Sequence, residues 1–445
     1  MRVSRSIRPA GTLLTATVLC LGLTVVSAPG AAAGTAAGTA AGRTVLAAAD
    51  GWGSATTGTT GGSRADAAHT VTVRTRAQLV AALGGTNATN GSDATPKIVY
   101  ISGTIDLNTD DSAKHLSCQD YSTDGYSLAA YLAAYDPAVW GTATEPAGAQ
   151  EDARAASAKL QGEQVQINVG SNTTIVGVHG GRLLGGGLVV KNADNVIIRN
   201  LTVEDAADCF PQWDPTDGAT GNWNSLYDAV ALYNATHVWV DHNTFTDGAN
   251  QDAAQPLHFG RPYQVHDGQL DITKGADLVT ASWNVFKDHD KTNLVGSSDS
   301  STVDAGHLRV TFHHNFWQNT VQRSPRVRFG QVDVYNNYYT PGAGDFEYAL
   351  GVGKSSQIVA EANYFKLPAG IPAAKLIYNW GGTALTDSGN LVNGRVTDLI
   401  GAFNTANPAK PLAAGAGWTP TLRAQVSPAC AVPGLVTARA GAGRI

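Results

Sequence analysis

Side chains able to hold a metal ion and an anion are concentrated in one stretch of the chain, residues 266–328. They are carboxylates, a lysine and arginines: Asp267, Asp271, Lys291, Arg323, Arg326 and Arg328. Carboxylate oxygens in this number suit Ca²⁺ or Mg²⁺ better than Zn²⁺. Cationic side chains beside a metal indicate an anionic substrate. Surface ion pairing would explain each residue singly, but it accounts poorly for the group.

The spacing of the two aspartates supports a shared ion. Asp267 and Asp271 are separated by four positions, which places both side chains on one face of a strand and also of a helix. In either case both carboxylates can reach one cation.

The N-terminus has the order of a secretory signal. Arg2, Arg5 and Arg8 precede an apolar run from Leu13 to Val26, and small residues follow. We therefore predict a signal peptide over residues 1–33 and a secreted, soluble protein. No later segment is long and apolar enough to span a membrane, so no membrane partner is expected.

A small-residue segment follows the signal. Residues 34–66 are rich in Ala, Gly and Thr and nearly free of bulky apolar side chains, which predicts a disordered leader. Residues 67–445 then form one domain. The net charge of −6 gives no reason to expect nucleic acid binding.

The cysteines allow one disulfide in the mature chain. Cys118, Cys209 and Cys430 remain after the signal peptide, and an exported protein permits one pair and leaves one thiol. The sequence does not determine which two cysteines pair.

After residue 164 the chain becomes a succession of short segments with the period of two typical of strands. Several end in an asparagine followed two positions later by an aromatic residue: Asn243–Phe245, Asn284–Phe286, Asn315–Trp317, Asn337–Tyr339 and Asn363–Phe365. A repeat of at least about 20 residues indicates a solenoid with loops inserted on some turns. Stacked asparagines can also satisfy one another's amides from coil to coil.

A β-sandwich has alternating strands too, but it gives no reason for one corner to recur. We therefore predict an all-β fold, a right-handed single-stranded parallel β-helix. A helix over residues 77–83 should cap its N-terminal end. The longest intervals follow Asn200 and Asn243, so long loops should gather on one side. Trp213 and Trp223 in these loops stack on sugars or pack a corner, and the sequence leaves both open.

Longer motifs resemble a known family. They are the runs that begin at Asn195, Phe210, Trp239, His266 and Val321, the last reading Val-Gln-Arg-Ser-Pro-Arg-Val-Arg-Phe-Gly. From about Val71 to the C-terminus the chain is similar to the secreted bacterial pectate lyases of polysaccharide lyase family one. That resemblance implies a parallel β-helix that cleaves polygalacturonate by calcium-dependent β-elimination. Cys118, Cys209 and the segment before Val71 have no counterpart in the family pattern.

The same resemblance assigns roles to single residues. It implies that the calcium ligands are Asp228, Asp267 and Asp271. It also implies that Lys291 and Arg328 bind the substrate and that Arg323 is the catalytic base. Arginine is an unusual base because its solution pKa lies above about 12, so a crowd of cations would have to lower it. Lys291 is the alternative base. We interpret Arg326 as a scaffold residue paired with an acidic side chain.

Two other functions remain as alternatives. A β-helical polygalacturonase would hydrolyse through paired carboxylates, which leaves Lys291, Arg323 and Arg328 without a role. A non-catalytic carbohydrate-binding β-solenoid would tolerate loss of the metal cluster. The expected partner in each case is polygalacturonate, and the expected state is a monomer.

Overall fold

The chain winds into a right-handed parallel β-helix, as predicted. The computed structural model describes residues 40–423 and 425–445. Each full coil contributes one strand to each of three parallel sheets, and the strands of successive coils lie side by side. The predicted signal peptide, residues 1–33, lies outside the described residues.

The first and second sheets are joined through the long strand β4 (Thr173–Leu184), which pairs with both β6 (Asp194–Arg199) and β7 (Thr202–Glu204). The first sheet contains β1 (Thr70–Val73), β2 (Lys97–Asp106), β4 (Thr173–Leu184), β6 (Asp194–Arg199), β11 (Thr236–Asp241), β16 (Asp277–Ser282), β19 (Val310–His313), β22 (Gln331–Tyr335), β25 (Gln357–Glu361), β28 (Ala384–Ser388) and β31 (Ala413–Ala414). The second contains β7 (Thr202–Glu204), β12 (Thr244–Thr246), β17 (Val285–Lys291), β20 (Phe316–Gln322), β23 (Tyr338–Thr340), β26 (Tyr364–Phe365) and β29 (Leu391–Val392), with β30 (Arg395–Val396) antiparallel to β29.

The third sheet is continuous from one end of the helix to the other. It contains β3 (Gln166–Val169), β5 (Gly187–Lys191), β10 (Val230–Tyr233), β15 (Leu270–Thr273), β18 (Leu294–Val295), β21 (Arg326–Val327), β24 (Leu350–Gly353) and β27 (Ile377–Trp380). Two short hairpins lie in the loops, β8 (Gln212–Asp214) with β9 (Asn222–Asn224) and β13 (Leu257–His258) with β14 (Arg261–Pro262).

Helices lie outside the coils. The α-helices are α1 (Arg76–Leu83), α2 (Asn87–Asn90), α3 (Cys118–Tyr121), α4 (Leu128–Ala134), α5 (Ala149–Val165), α6 (Leu399–Ala406) and α7 (Val432–Arg439). Short 3₁₀ turns occupy Trp52–Ser54, Asp252–Ala254, Thr302–Asp304, Ala373–Leu376 and Ala429–Ala431. No helix in residues 40–423 or 425–445 combines the length and apolar character needed to cross a bilayer.

Apolar side chains in register build the core along the axis. Val279 of β16 pairs with Val310, which pairs with Val332, which in turn pairs with Ile358. All four are fully buried, because alternate positions of each strand face the inside of the coil. At the N-terminal end α1 inserts Leu79 into the same core, so the predicted capping helix is confirmed.

The predicted asparagine ladder is present at the corner between the first and second sheets. The Asn315 side-chain amide donates to Asn337 Oδ1 (3.2 Å), and the same contact links Asn243 to Asn284, Asn284 to Asn315, Asn337 to Asn363, and Asn363 to Asn390. The aromatic residues two positions later stack in the same order, for example Trp317 on Tyr339 with ring centroids 4.7 Å apart. The ladder therefore extends one coil beyond the predicted series, to Asn390.

The predicted disordered leader, residues 34–66, is wrong over its described part. Residues 40–66 lie against the first sheet, where the Gly62 N–H donates to Thr174 Oγ1 (2.8 Å). A Cβ on Gly62 would lie 1.9 Å from the Lys97 carbonyl oxygen. The small residues that suggested disorder are therefore what allows the backbone to approach the sheet so closely.

The structure shows which two of the described cysteines pair. Cys118 and Cys209 form a disulfide with their Cα atoms 5.4 Å apart, which ties α3 to the long loop after β7. The expected leftover thiol is not found, since none of the described cysteines is free.

The long loops form a second, smaller aromatic core. Trp213 and Trp223 are 1% and 0% exposed, and they pack against Tyr131 of α4 and Tyr263. Of the two roles left open for these tryptophans, corner packing is therefore correct. Neither ring has a face available to a sugar.

Candidate active site

The predicted site residues gather where the second sheet turns into the third. Lys291 ends β17 and Arg323 directly follows β20, while Asp271 lies in β15 of the third sheet. Successive coils bring these positions together, because Lys291 pairs with Gln322, the neighbour of Arg323. Long loops rise beside this corner after β7 and β12, on the side where they were predicted.

Asp228 and Asp271 are a buried pair of carboxylates around Gly268. The Gly268 N–H donates to Asp228 Oδ1 (2.9 Å), and the Leu294 N–H donates to Asp271 Oδ1 (2.9 Å). A Cβ on Gly268 would lie 2.3 Å from Asp271 Oδ1 and 2.8 Å from Asp228 Oδ1. Both carboxylates therefore face the small space that the missing side chain leaves open.

The two carboxylates are electrostatically disfavoured where they lie. Burial, and then the charge of Asp267, raise the pKa of Asp271 to about 7. Burial and the charges of Asp271 and Asp267 raise the pKa of Asp228 well above its usual range. A divalent cation would relieve this repulsion, and the donors are all hard oxygens. The residues present therefore fit a calcium ion.

Asp267 belongs to the same group but points toward a lysine. Its Oδ1 lies 3.2 Å from Lys291 Nζ. Its main-chain oxygen accepts a hydrogen bond from His289 Nε2 (2.8 Å), whose Nδ1 donates to Asp247 Oδ1 (2.7 Å). Both ring nitrogens of His289 face acceptors, so the ring carries two protons and anchors the loop that holds Asp267.

A second acidic cluster lies behind this loop. Asp247, Asp252 and His266 bring three possible ligand atoms within 4.8 Å of one another, the only described residues that do so. His266 Nδ1 lies 3.1 Å from Asp252 Oδ1, and its Nε2 lies 3.0 Å from Asp205 Oδ1. Burial alone would lower the pKa of His266, but these hydrogen bonds raise it to about 10. A doubly protonated ring has no lone pair for a metal, so this cluster is an ion-paired support.

Arg323 stands at a corner with its side chain near the carboxylates. Its backbone is in the left-handed region (φ 58°), as at other corners of this helix such as His314 (φ 55°). Its Nε is buried and has no hydrogen-bond partner among the described residues. Such a donor is costly unless a ligand accepts from it.

The charges around Arg323 hold it protonated in this structure. Burial by itself lowers the pKa of Arg323, but the charges of Asp267, Tyr348 and Asp271 outweigh burial and raise that pKa above its usual range. A base role therefore requires that the carboxylates first be neutralised.

Arg328 and Arg326 have different interaction partners. Arg328 Nε donates to Asp299 Oδ1 (2.7 Å) and its Nη1 donates to the Gly296 carbonyl (3.0 Å), so Arg328 is held by the segment that follows β18. Arg326 has no acidic partner among the described residues, which corrects the predicted ion pair. Its guanidinium instead lies 3.9 Å from the ring centroid of Trp380. Burial and the charges of Arg328 and Arg323 lower the pKa of Arg326 to about 10.

The structure thus brings Asp228, Asp267, Asp271, Lys291 and Arg323 into mutual contact or electrostatic range. Sequence reasoning assigned no role to the supporting residues. His289 alone carried a signal, because it precedes Lys291 by two positions and shares its buried strand face.

Comparisons with known proteins concern the sequence and the fold of the chain as a whole. A family model described as pectate lyase matches residues 128–444. A pectate lyase of Bacillus subtilis (strain 168) is 48% identical over 439 residues, 97% of this chain and 99% of that protein. The solved structure of the thermostable pectate lyase PL 47 has a TM-score of 0.89 at 46% identity, covering 91% of this chain and 99% of its own. A pectate lyase structure bound to a hexasaccharide has a TM-score of 0.85 at 48% identity, with the same shares covered.

Proposed function

This chain belongs to the pectate lyase family, and from that premise we propose that it cleaves (1→4)-α-D-galacturonan by calcium-dependent β-elimination. The products would be 4,5-unsaturated oligogalacturonides. The observation that supports this most is the buried carboxylate pair Asp228 and Asp271, set beside Lys291 and Arg323 at one corner of the helix. With the predicted signal peptide, we propose a secreted monomer that acts on plant cell-wall pectate.

Asp228, Asp267 and Asp271 would hold the calcium ion. Asp267 would give up its contact with Lys291 to hold the cation, and Lys291 would then be available to bind a substrate carboxylate. When bound, Ca²⁺ supplies Lewis-acid stabilisation of the negative charge that develops next to the uronate carboxylate. Arg328, held in place by Asp299, binds a second substrate carboxylate.

Arg323 would remove the C5 proton. Its pKa is raised chiefly by Asp267, Tyr348 and Asp271, and neutralisation of the two aspartates removes two of those contributions. The positive charges of Lys291, Arg328 and the bound calcium ion would act in the opposite direction and lower the pKa of Arg323. Arg323 would therefore lose its proton more readily once metal and substrate are bound, and alkaline pH would favour the deprotonated form. Lys291 is the alternative base.

The proposed reaction is tested by measuring the double bond that elimination creates. Elimination leaves a C4–C5 double bond conjugated to the carboxylate, so ultraviolet absorbance should rise when the mature protein meets polygalacturonate. Chelation should abolish the rise, and Ca²⁺ should restore it. Reducing ends without absorbance would instead indicate a β-helical polygalacturonase. Binding without any product would indicate a non-catalytic carbohydrate-binding solenoid.

A further inference from the structure

A row of aromatic rings leads from the candidate active site to the protein surface. The guanidinium of Arg326 lies 3.9 Å from the ring centroid of Trp380, and Trp380 lies 4.5 Å from Tyr378, centroid to centroid. Tyr348, which is buried, packs 5.5 Å from Tyr378. Tyr378 ends the row and is 47% exposed. The row is thus anchored inside and open to solvent at one ring.

The strand register shows that this row extends along the helix axis, away from the corner that holds Arg323 (the reacting corner). Arg326 of β21 pairs with Gly351 of β24, and Gly351 pairs with Tyr378 of β27. Two strand spacings amount to about 10 Å along the helix axis. A polymer that lies across the third sheet at Arg323 and continues along the axis therefore reaches Tyr378.

The open end of the row borders a cavity of about 530 Å³. Its lining includes Tyr378, Trp380, Lys375, Asn407 and Glu347. Aromatic faces suit the C–H surfaces of a sugar ring, and an exposed lysine suits a carboxylate. Glu347 lines both this cavity and the neighbouring one next to Asp290, so its negative charge opposes a uronate carboxylate there, and the positive charge of Lys375 has to offset it.

We propose that Lys375, Tyr378 and Trp380 form a distal subsite that binds a galacturonate residue of the chain being cleaved. Its ring lies against Tyr378 and its carboxylate faces Lys375. This inference rests on the proposed galacturonan cleavage. The subsite lies two coils beyond Arg326, about 10 Å along the axis, so a long chain bound for cleavage always occupies it, whereas trigalacturonate fills it only when bound toward that end.

The test compares substrates of two lengths. Tyr378→Ala should lower the ratio of kcat/KM on polygalacturonate to kcat/KM on trigalacturonate by about threefold to tenfold, mostly through KM, since the longer chain always loses an aromatic contact. Tyr378→Phe should restore the ratio, because the ring remains. Lys375→Ala should lower the ratio as well, and more so at low salt. Val396→Ala and Lys366→Ala, at other exposed positions, are the matched controls.

The outcomes separate this subsite from the proposed function. An unchanged ratio in Tyr378→Ala, or equal losses on both substrates, overturns the subsite. If the wild-type protein forms no double bond, the proposed function fails, and calorimetric binding of hexagalacturonate then decides the subsite. A dissociation constant raised threefold to tenfold in Tyr378→Ala but not in Tyr378→Phe supports it, and equal constants in all three proteins overturn it.

Discussion

Replacing Asn315 with alanine should lower the free energy of unfolding by about 2–6 kcal/mol. Asn315 is fully buried, and its side chain accepts from the Asn284 N–H (2.9 Å) and donates to the Ala281 carbonyl (2.9 Å). The Asn284 side-chain amide retains its bond to Val240, and Asn337 Oδ1 still accepts from the Asn315 N–H. Two backbone groups are therefore left unsatisfied, each at a cost of roughly 1–3 kcal/mol.

Guanidinium unfolding with calcium held constant measures this loss. Gln318→Ala is the control, because Gln318 lies in the strand β20 of the same coil with its side chain exposed and its backbone outside the left-handed region; it should change stability by less than about 0.5 kcal/mol. The double variant Asn315→Ala/Asn337→Ala should lose less than the sum of its parts, because the two amides share a bond. Equal, small losses in Asn315→Ala and Gln318→Ala would refute the ladder as a source of stability.

The remaining predictions concern the site. Gly268→Ala should weaken calcium binding with the fold retained, because the new methyl group would lie 2.3 Å from Asp271 Oδ1; a wild-type dissociation constant by calorimetry would contradict the placement of the ion. Asp271→Asn or Asp228→Asn should raise the calcium concentration needed for half-maximal activity, and unaltered calcium dependence in both would remove them from the metal site. The pKa of Asp271 is raised from 3.8 to about 7 in the folded protein, so its protonation stabilises the cation-free fold at low pH and that contribution is lost as pH rises through about 7. Calcium offsets the loss, so the calcium-induced rise in Tm should grow between about pH 5 and about pH 8, and a rise independent of pH would contradict it. Arg323→Ala should lower kcat by about 10²- to 10⁴-fold, whereas Lys291→Ala and Arg328→Ala should mainly raise KM, with exposed Arg395→Ala as the control; a near-normal kcat in Arg323→Ala would exclude it as the base.

The fold was predictable from the sequence because its signal is local and repeated. Each asparagine with an aromatic residue two positions later marks one corner, and five such pairs are enough to indicate stacked coils. Asn390 was not predicted to belong to the ladder, because the residue two positions later is Val392, which has no ring. Asn390 nevertheless accepts a hydrogen bond from the Asn363 side chain. The hydrogen-bond ladder is thus broader than the motif that revealed it.

The supports of the site were not predictable, because they join residues from separate coils. The contact of Arg326 with Trp380 spans 54 positions of sequence and replaces the ion pair that its charge suggested. His266 meets Asp205 and Asp252 only because two long loops fold together. Composition also led to a wrong prediction for residues 40–66. Small residues suit close packing against a sheet as well as they suit disorder, and the first sheet is available to this segment. No local pattern carries such information.

The segment at residues 40–66 has a consequence for how the molecule unfolds. In a solenoid each coil contacts only its neighbours, so unfolding can begin at one end and spread in steps. This segment crosses the coils instead: the Trp52 N–H donates to Thr311 Oγ1 (3.0 Å) of β19, and the Thr60 N–H donates to Asn195 Oδ1 (2.7 Å) of β6. Coils that do not touch are thereby linked, so unfolding that reaches β6 or β19 also removes a contact of the segment that holds the other. The coils from β6 to β19 therefore have the connectivity of one cooperative unit although the architecture is one-dimensional.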